Sequence, residues 1–362
     1  MIKVCAFGEI MARFTPNDKD IFSALPDRIN FTFGGAEANF LANLSNLDVK
    51  TYFVSALPNN SLGNAVIKHL SKFKINSDYI KITNNGRLGL YFVEEGIAHR
   101  SSVVTYDREN SSINLLKFED FNFAEVFEKV DHFHISGITP ALSEAAMVSS
   151  IESVKLAKKM GLTVSCDLNY RAKLWKYKIN GVYVNPKMVM SEILKSVDYL
   201  FGNEIDIQSI FGIEHKKGSS LNLQGDKKRV YYENILSDTS KLFPNIEIIA
   251  LSLRDSINAT SNYITGVLYK RDSNKFVFSP VIEDDYAKNL VEPINDRIGS
   301  GDAFSSGLIF ALDKYNSDLQ KALDFAVASS ILKHTYRGDF SYATMQDIEN
   351  IMQGDVTGRI KR

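Results

Sequence analysis

A carboxylate set beside two glycines, in Gly299-Ser300-Gly301-Asp302, is the arrangement in this chain best suited to chemistry. Two glycines permit a tight turn and close approach of the backbone to a ligand. Beyond them Ala303, Phe304, Leu308, Ile309 and Leu312 recur at helical spacing, so the turn opens a helix. Unpaired N–H groups and the helix dipole favour an anion at such a point. Asp302 would repel phosphate in a simple cradle. It fits as a base that takes a proton from an alcohol while the N–H groups of Gly299, Ser300 and Gly301 hold a phosphoryl group. An ordinary first-turn acid behind a glycine-rich loop fits the same residues, and at this point both readings stand.

Other clusters bear on ligands. In Gly34-Gly35-Ala36-Glu37-Ala38-Asn39 the glycines allow close backbone approach, and Glu37 and Asn39 could bond hydroxyls. A plain strand-to-helix turn accounts for the run equally well. Tyr91 and Tyr106, on short strand-like runs, could cover the apolar face of a sugar, and Arg108 has the planar fork that suits a carboxylate. Amphipathic strand residues and a surface arginine are the bland alternative. Asp167-Leu168-Asn169-Tyr170-Arg171 follows a strand, where open α/β sheets bind ligands. Arg171 would add a second guanidinium for an acidic substrate, or form a structural pair with Asp167. Asn203-Glu204-Ile205-Asp206 also follows a strand and reads equally as a helix N-cap with first-turn acids.

Some chemistries are disfavoured. His132 and His134 stand two apart on a strand with no accompanying ligand cluster, which reads as core rather than metal site. There is no Gly-x-x-x-x-Gly-Lys-Ser/Thr run, and no Gly-x-Gly-x-x-Gly follows the first strand. A net charge of −1 argues against nucleic-acid or membrane-surface partners. Lys216-Lys217 and Lys227-Lys228-Arg229 read as a solvated loop. Cys5 and Cys166 lie in apolar runs, so they read as core thiols of a reducing compartment. No signal-like segment and no membrane-length apolar run is apparent, and the expectation is a cytoplasmic protein.

The elements that must position these groups alternate. Strand-like runs at Ile2–Phe7, Thr51–Ala56, His132–Ile135, Thr163–Asp167, Tyr199–Gly202 and Ile246–Leu251 are interspersed with helical patterns at Glu37–Leu47, Leu62–Phe73, Phe118–Glu128, Ser143–Met160, Pro186–Ser196, Glu204–Phe211, Asp302–Lys314 and Leu319–His334. With 362 residues, 44% of them hydrophobic, the chain can bury the parallel sheet this implies under helices on both faces. Met11–Phe33 and Arg87–Asp107 break the rhythm and predict a small antiparallel sheet or edge strands. Residues 214–241 read as a polar insertion, helical around Val230–Leu236.

The Gly299–Asp302 turn resembles the signature of ribokinase-like (PfkB-type) sugar kinases, with Ser300 in place of the usual alanine. Gly34–Asn39 resembles their N-terminal sugar-binding element, most closely in the 2-keto-3-deoxygluconate kinase branch. The resemblance covers nearly the whole chain. It implies a three-layer α/β sandwich with a central, mostly parallel sheet, one unit over residues 1–362, and a β lid from about 11–33 and 87–109 that pairs subunits. It implies ATP-dependent phosphorylation of the 6-hydroxyl of 2-keto-3-deoxygluconate. Asp302 would be the base. Gly34, Gly35, Asn39, Tyr91, Tyr106, Arg108, Arg171 and Asp339 would line the substrate site, with Arg108 and Arg171 at its carboxylate. Asn203 and Asp206 would organise Mg²⁺ through water, although Asp206 is one methylene shorter than the family's Glu and Glu204 competes for the role. Leu251–Ser256 stands where relatives carry a glycine-containing nucleotide turn; the glycines are missing, and Arg254 is left as a phosphate partner. Some relatives hold a monovalent cation, which Asp296 would influence here. The alternatives are a fructokinase- or ribokinase-type enzyme for a neutral sugar and a catalytically silent sugar-binding regulator.

Overall fold

Val4, Cys5, Ala6 and Phe7 are all fully buried, although successive strand residues face opposite ways. Such a strand belongs inside a sheet covered on both faces. In the computed structural model, which describes residues 2–213, 226–280 and 289–354, β1 (Lys3–Phe7) lies there. Val4 and Ala6 join one apolar cluster and Cys5 and Phe7 the other, so the two clusters mark the two sides of the sheet.

The chain leaves β1 for β2 (Met11–Pro16) and β3 (Ile29–Gly34), returns through β4 (Lys50–Pro58) and β5 (Ile80–Thr83), and leaves again for β6 (Leu90–Glu94) and β7 (Val103–Asp107). It then adds β8 (His132–Ser136) and β9 (Thr163–Asp167) to the body, makes a small hairpin of β10 (Lys178–Ile179) and β11 (Val182–Tyr183), and continues with β12 (Tyr199–Gly202), β13 (Ile248–Asn258), β14 (Ser261–Lys270), β15 (Lys275–Ser279) and β16 (Leu290–Val291). The central sheet runs β15-β14-β13-β12-β9-β8-β1-β4-β5, with β16 on β14. Pairing is parallel from β5 to β13 and antiparallel at the β13–β14–β15 edge.

One face carries α1 (Ala36–Asn46) and α2 (Ser61–Lys72). The other receives α3 (Ser112–Leu115), α4 (Phe123–Phe127), α5 (Glu144–Lys159), α6 (Pro186–Leu194), α7 (Glu204–Phe211) and α8 (Asp226–Leu242). The chain returns to the first face with α9 (Ser300–Lys314), α10 (Leu319–Lys333) and α11 (Met345–Met352). This is the expected three-layer architecture.

The lid is a separate four-stranded sheet, β3-β2-β6-β7. Its central pair, β2 and β6, is parallel, which corrects the expectation of an all-antiparallel sheet. Other expectations also change. Phe118–Glu128 is not one helix but a 3₁₀ turn at Phe118–Asp120 followed by α4, because Phe121 and Asn122 leave helical geometry. Leu251–Ser256 makes no turn. Lacking glycine, it continues as β13 in register with β14. Lys227–Arg229 lies in α8 rather than a loop, with Lys228 paired to Asp255. Residues 214–225, with Lys216-Lys217, fall outside the described residues, while the rest of the expected insertion is α8. No helix of the described residues is long and apolar enough to cross a membrane.

Candidate active site

Gly299 begins α9 with φ +87, the left-handed region where glycine is at home. A Cβ there would run into the Asp339 carbonyl, whereas one on Gly301 would meet nothing within 4 Å. The first glycine therefore shapes the turn, and the second leaves open space above it. Ser300 N–H donates to the Arg297 carbonyl at 3.4 Å, whereas the N–H groups of Gly299 and Gly301 have no backbone partner among the described residues. Ser300 Oγ accepts from Arg254 Nη2 at 3.1 Å.

Asp302 follows in the first turn of α9, buried, with Oδ2 accepting from Asn39 Nδ2 at 2.7 Å. Asn39 is fixed in turn by the Gly35 N–H on its Oδ1 at 3.2 Å. Asn39 thus orients Asp302 and also lines the cavity. Loss of water pushes the Asp302 carboxyl up to about 8; the Asn39 bond opposes this, and the carboxylates of Asp167, Glu37 and Asp339 add to it. Glu37, expected to face a ligand hydroxyl, lines the cavity but has one carboxylate oxygen engaged by the protein. Its Oε1 accepts from Ser136 N–H, Ser136 Oγ and Thr139 Oγ1, which ties α1 to the end of β8.

A cavity of about 760 Å³ opens at the carboxyl ends of the parallel strands, under the lid. Every candidate from the sequence except Gly34 and Asp296 lines it. Gly34 lies just behind, where an added Cβ would strike the Asp339 carboxylate and the Tyr91 hydroxyl. Tyr91 and Tyr106 face each other across β6 and β7 with ring centroids 6.3 Å apart. Arg108 is buried, with Nε 2.7 Å and Nη2 2.5 Å from Glu9 Oε2. Arg171 is exposed to the cavity and, among the described residues, bonds only its neighbour, the Tyr170 carbonyl, at 3.1 Å.

Asn203 caps α7. Its Oδ1 accepts from the Asp206 N–H and its Nδ2 donates to Asp206 Oδ2, both at 2.9 Å. Burial raises Asp206 to about 7, helped by Asp167, which burial raises to about 6 against the pull of Arg171. Two buried carboxylates that resist ionising suit a cation. On the lid side, buried Arg13 binds Asp339 at 2.8 Å and Asp296 at 2.7 Å. Asp296 is completed by the N–H groups of Ile298 and Gly338.

Sequence reasoning passed over Glu9, Arg13 and Arg297. Glu9 directly follows β1 at a carboxyl edge, which is a readable signal. Arg297 adjoins the turn and anchors on Asn258 and Asn262, leaving its Nε without a partner among the described residues. Arg13 carries no signal of its own, since its partners lie far away in the chain. His132 and His134 both bond Ser165 Oγ inside the core, and no cluster of metal-ligating side chains occurs among the described residues.

The model of the pfkB family of carbohydrate kinases matches residues 1–262, so the turn itself lies beyond the match. A 2-dehydro-3-deoxygalactonokinase of Haloferax volcanii is 27% identical over 356 residues, 98% of each chain. The crystal structure of 2-dehydro-3-deoxygluconokinase from Thermotoga maritima superposes with TM-score 0.85 and 36% identity, covering 98% of this chain and 100% of that one. That of a putative 2-keto-3-deoxygluconate kinase from Enterococcus faecalis gives 0.84 and 27%, over 100% and 99%. With a family match over well more than half its length, and a fold that superposes over 98% of the chain on such a kinase, the chain belongs to the pfkB family of carbohydrate kinases.

Proposed function

We propose that this kinase transfers the γ-phosphoryl group of ATP to the 6-hydroxyl of 2-keto-3-deoxygluconate. The reading is carried by one cavity that holds Asp302 at the N-terminus of α9 together with two guanidinium groups, Arg108 and Arg171. Asp302 takes the hydroxyl proton, and the Gly299 and Gly301 N–H groups hold the moving phosphoryl. Arg171 is the free fork for the substrate carboxylate, with Arg108 held beside Tyr106 by Glu9. Tyr91 and Tyr106 cover the carbon chain, and Arg254 meets the nucleotide phosphates. Asn203 and Asp206 offer oxygen donors of the kind Mg²⁺ takes through water. When bound, Mg²⁺ offsets charge on the nucleotide phosphates. Asp296, expected to influence a monovalent cation, already pairs with Arg13 and accepts from two N–H groups.

Residues 1–362 act as one kinase unit in this reading. Its lid pairs with that of a second copy, and two free buried thiols suit the cytoplasm. One observation favours a neutral sugar instead: Glu9 already balances Arg108. ADP release measured with 2-keto-3-deoxygluconate, its galactonate epimer, fructose and ribose separates the two. Turnover should be fastest with the keto acids. Faster turnover of fructose or ribose would transfer the assignment to a neutral-sugar kinase.

A further inference from the structure

Lys333 ends α10 with its side chain fully buried. Its stem passes beneath the glycine turn, where a Cβ on Gly299 would lie 3.2 Å from Lys333 Cε. Among the described residues Nζ makes one hydrogen bond, to the Tyr336 carbonyl at 3.3 Å. Four charged groups face it: Arg13 from β2, Asp296 from the segment before the turn, Asp302 from α9 and Asp339 from the segment after α10. Arg13 already bridges Asp296 and Asp339. Arg13 also reaches Glu95 at 3.3 Å, so one guanidinium is shared among three carboxylates and leaves them short of positive charge, to which Lys333 adds one. A buried ammonium is costly unless charge compensates it, and packing alone would be served by a methionine of similar length. Burial pulls the Lys333 pKa down, while the Asp296, Asp339 and Asp302 carboxylates hold it up.

We propose that Lys333 is a positioning residue for phosphoryl transfer, a covalently attached cation beneath the Gly299–Gly301 turn that fixes the turn and favours the ionised form of Asp302. The proposal rests on Asp302 being the base, and not on which acceptor is used. Asp302 is faced by Asp167, Glu37 and Asp339, which disfavour its charge, and by Asn39 and Lys333, which favour it.

Lys333→Met keeps the stem and removes the charge. It is assayed with whichever acceptor the wild type phosphorylates, so failure of the keto-acid reading leaves the test intact. We expect kcat to fall about tenfold or more. The acidic limb of kcat/KM should move up by about one pH unit, the scale of one charge several ångströms away at an effective dielectric of about 20. Lys333→Ala supplied with ethylammonium should regain part of kcat and return the limb, whereas ethanol should do neither. A folded Met variant with normal kcat and an unmoved limb overturns the proposal. So does loss of kcat in both variants with the limb unmoved and no amine rescue. Should neither variant fold, nitrogen NMR of lysine-labelled wild type decides: a protonated, exchange-protected ammonium at neutral pH supports the proposal, and a neutral amine overturns it.

Discussion

Asp302 is a carboxyl whose ordinary acidity is suppressed by burial, and this acts on rate and stability with opposite signs. As a base it must be ionised, so kcat/KM for the acceptor should rise with pH and level off above about 8. For the fold, a carboxyl whose pKa lies above its unfolded value stabilises at low pH. That contribution is lost progressively as pH climbs from about 4 towards about 8. Asp302→Asn keeps an oxygen for the Asn39 amide and removes the buried charge. Turnover should fall about 10³-fold, while the variant melts about 2–5 °C above wild type at pH 8, and by less at pH 5. Normal rates from the purified variant would refute the base role. Arg171 is the converse case, exposed and, among the described residues, bonded only to its own neighbour. Arg171→Ala should raise KM for the keto acid about 10–100-fold, the range of a lost charge-assisted pair, and change KM for ATP less than about threefold. Equal rises in both would remove its carboxylate role.

At the scale of elements, the two glycines of one turn separate shape from access. Gly299→Ala meets both the left-handed φ and the Asp339 carbonyl. It should cost at least about 1–2 kcal/mol in stability from the backbone alone, together with activity. Gly301→Ala adds a methyl where nothing stands within 4 Å, inside a helix that prefers alanine. It should melt at or above the wild-type temperature yet lose kcat, because the methyl occupies the phosphoryl's approach. Melting curves and steady-state rates on the pair check this, and a fully active Gly301→Ala would exclude phosphoryl binding there. The alternation of short buried strands and helical runs made the parallel sheet legible in the sequence, and the turn announced itself by its glycines. At the β13–β14–β15 edge only the start of β13 was read, as Ile246–Leu251, because the strands that follow it succeed one another without the helix that set off each earlier strand of the central sheet. Helix α11 was readable in principle from its Thr344–Asp347 capping box. Arg13 and Lys333 were hidden for another reason: burial and contacts with residues far along the chain define them, and neither leaves a local pattern.

The whole molecule is a covered sheet with a small exposed one standing over its cleft, and the small sheet has two faces to account for. Strand alternation sends Met11, Tyr91, Val93 and Tyr106 towards the cavity. The opposite face carries Phe14 between Phe31 and Phe92, with ring centroids 5.3 and 5.4 Å away. Ile29, Phe31 and Val103 on that face are 48%, 45% and 49% exposed. A sheet this small gains little from one face alone, and an aromatic stripe left in water marks an association surface. The occupant this predicts is a second copy of the chain, lid against lid. Light scattering should give wild type the mass of two chains at micromolar concentration. Phe31→Glu puts a charge into the stripe without touching the cavity, so it should yield monomers whose body melts as before. With its outer face unsupported, the lid should close less well over the substrate, raising KM for the acceptor about tenfold while KM for ATP holds. Wild type that runs as a monomer would leave the stripe without this partner. A monomeric Phe31→Glu with unchanged kinetics would show that pairing, if present, does nothing for the site.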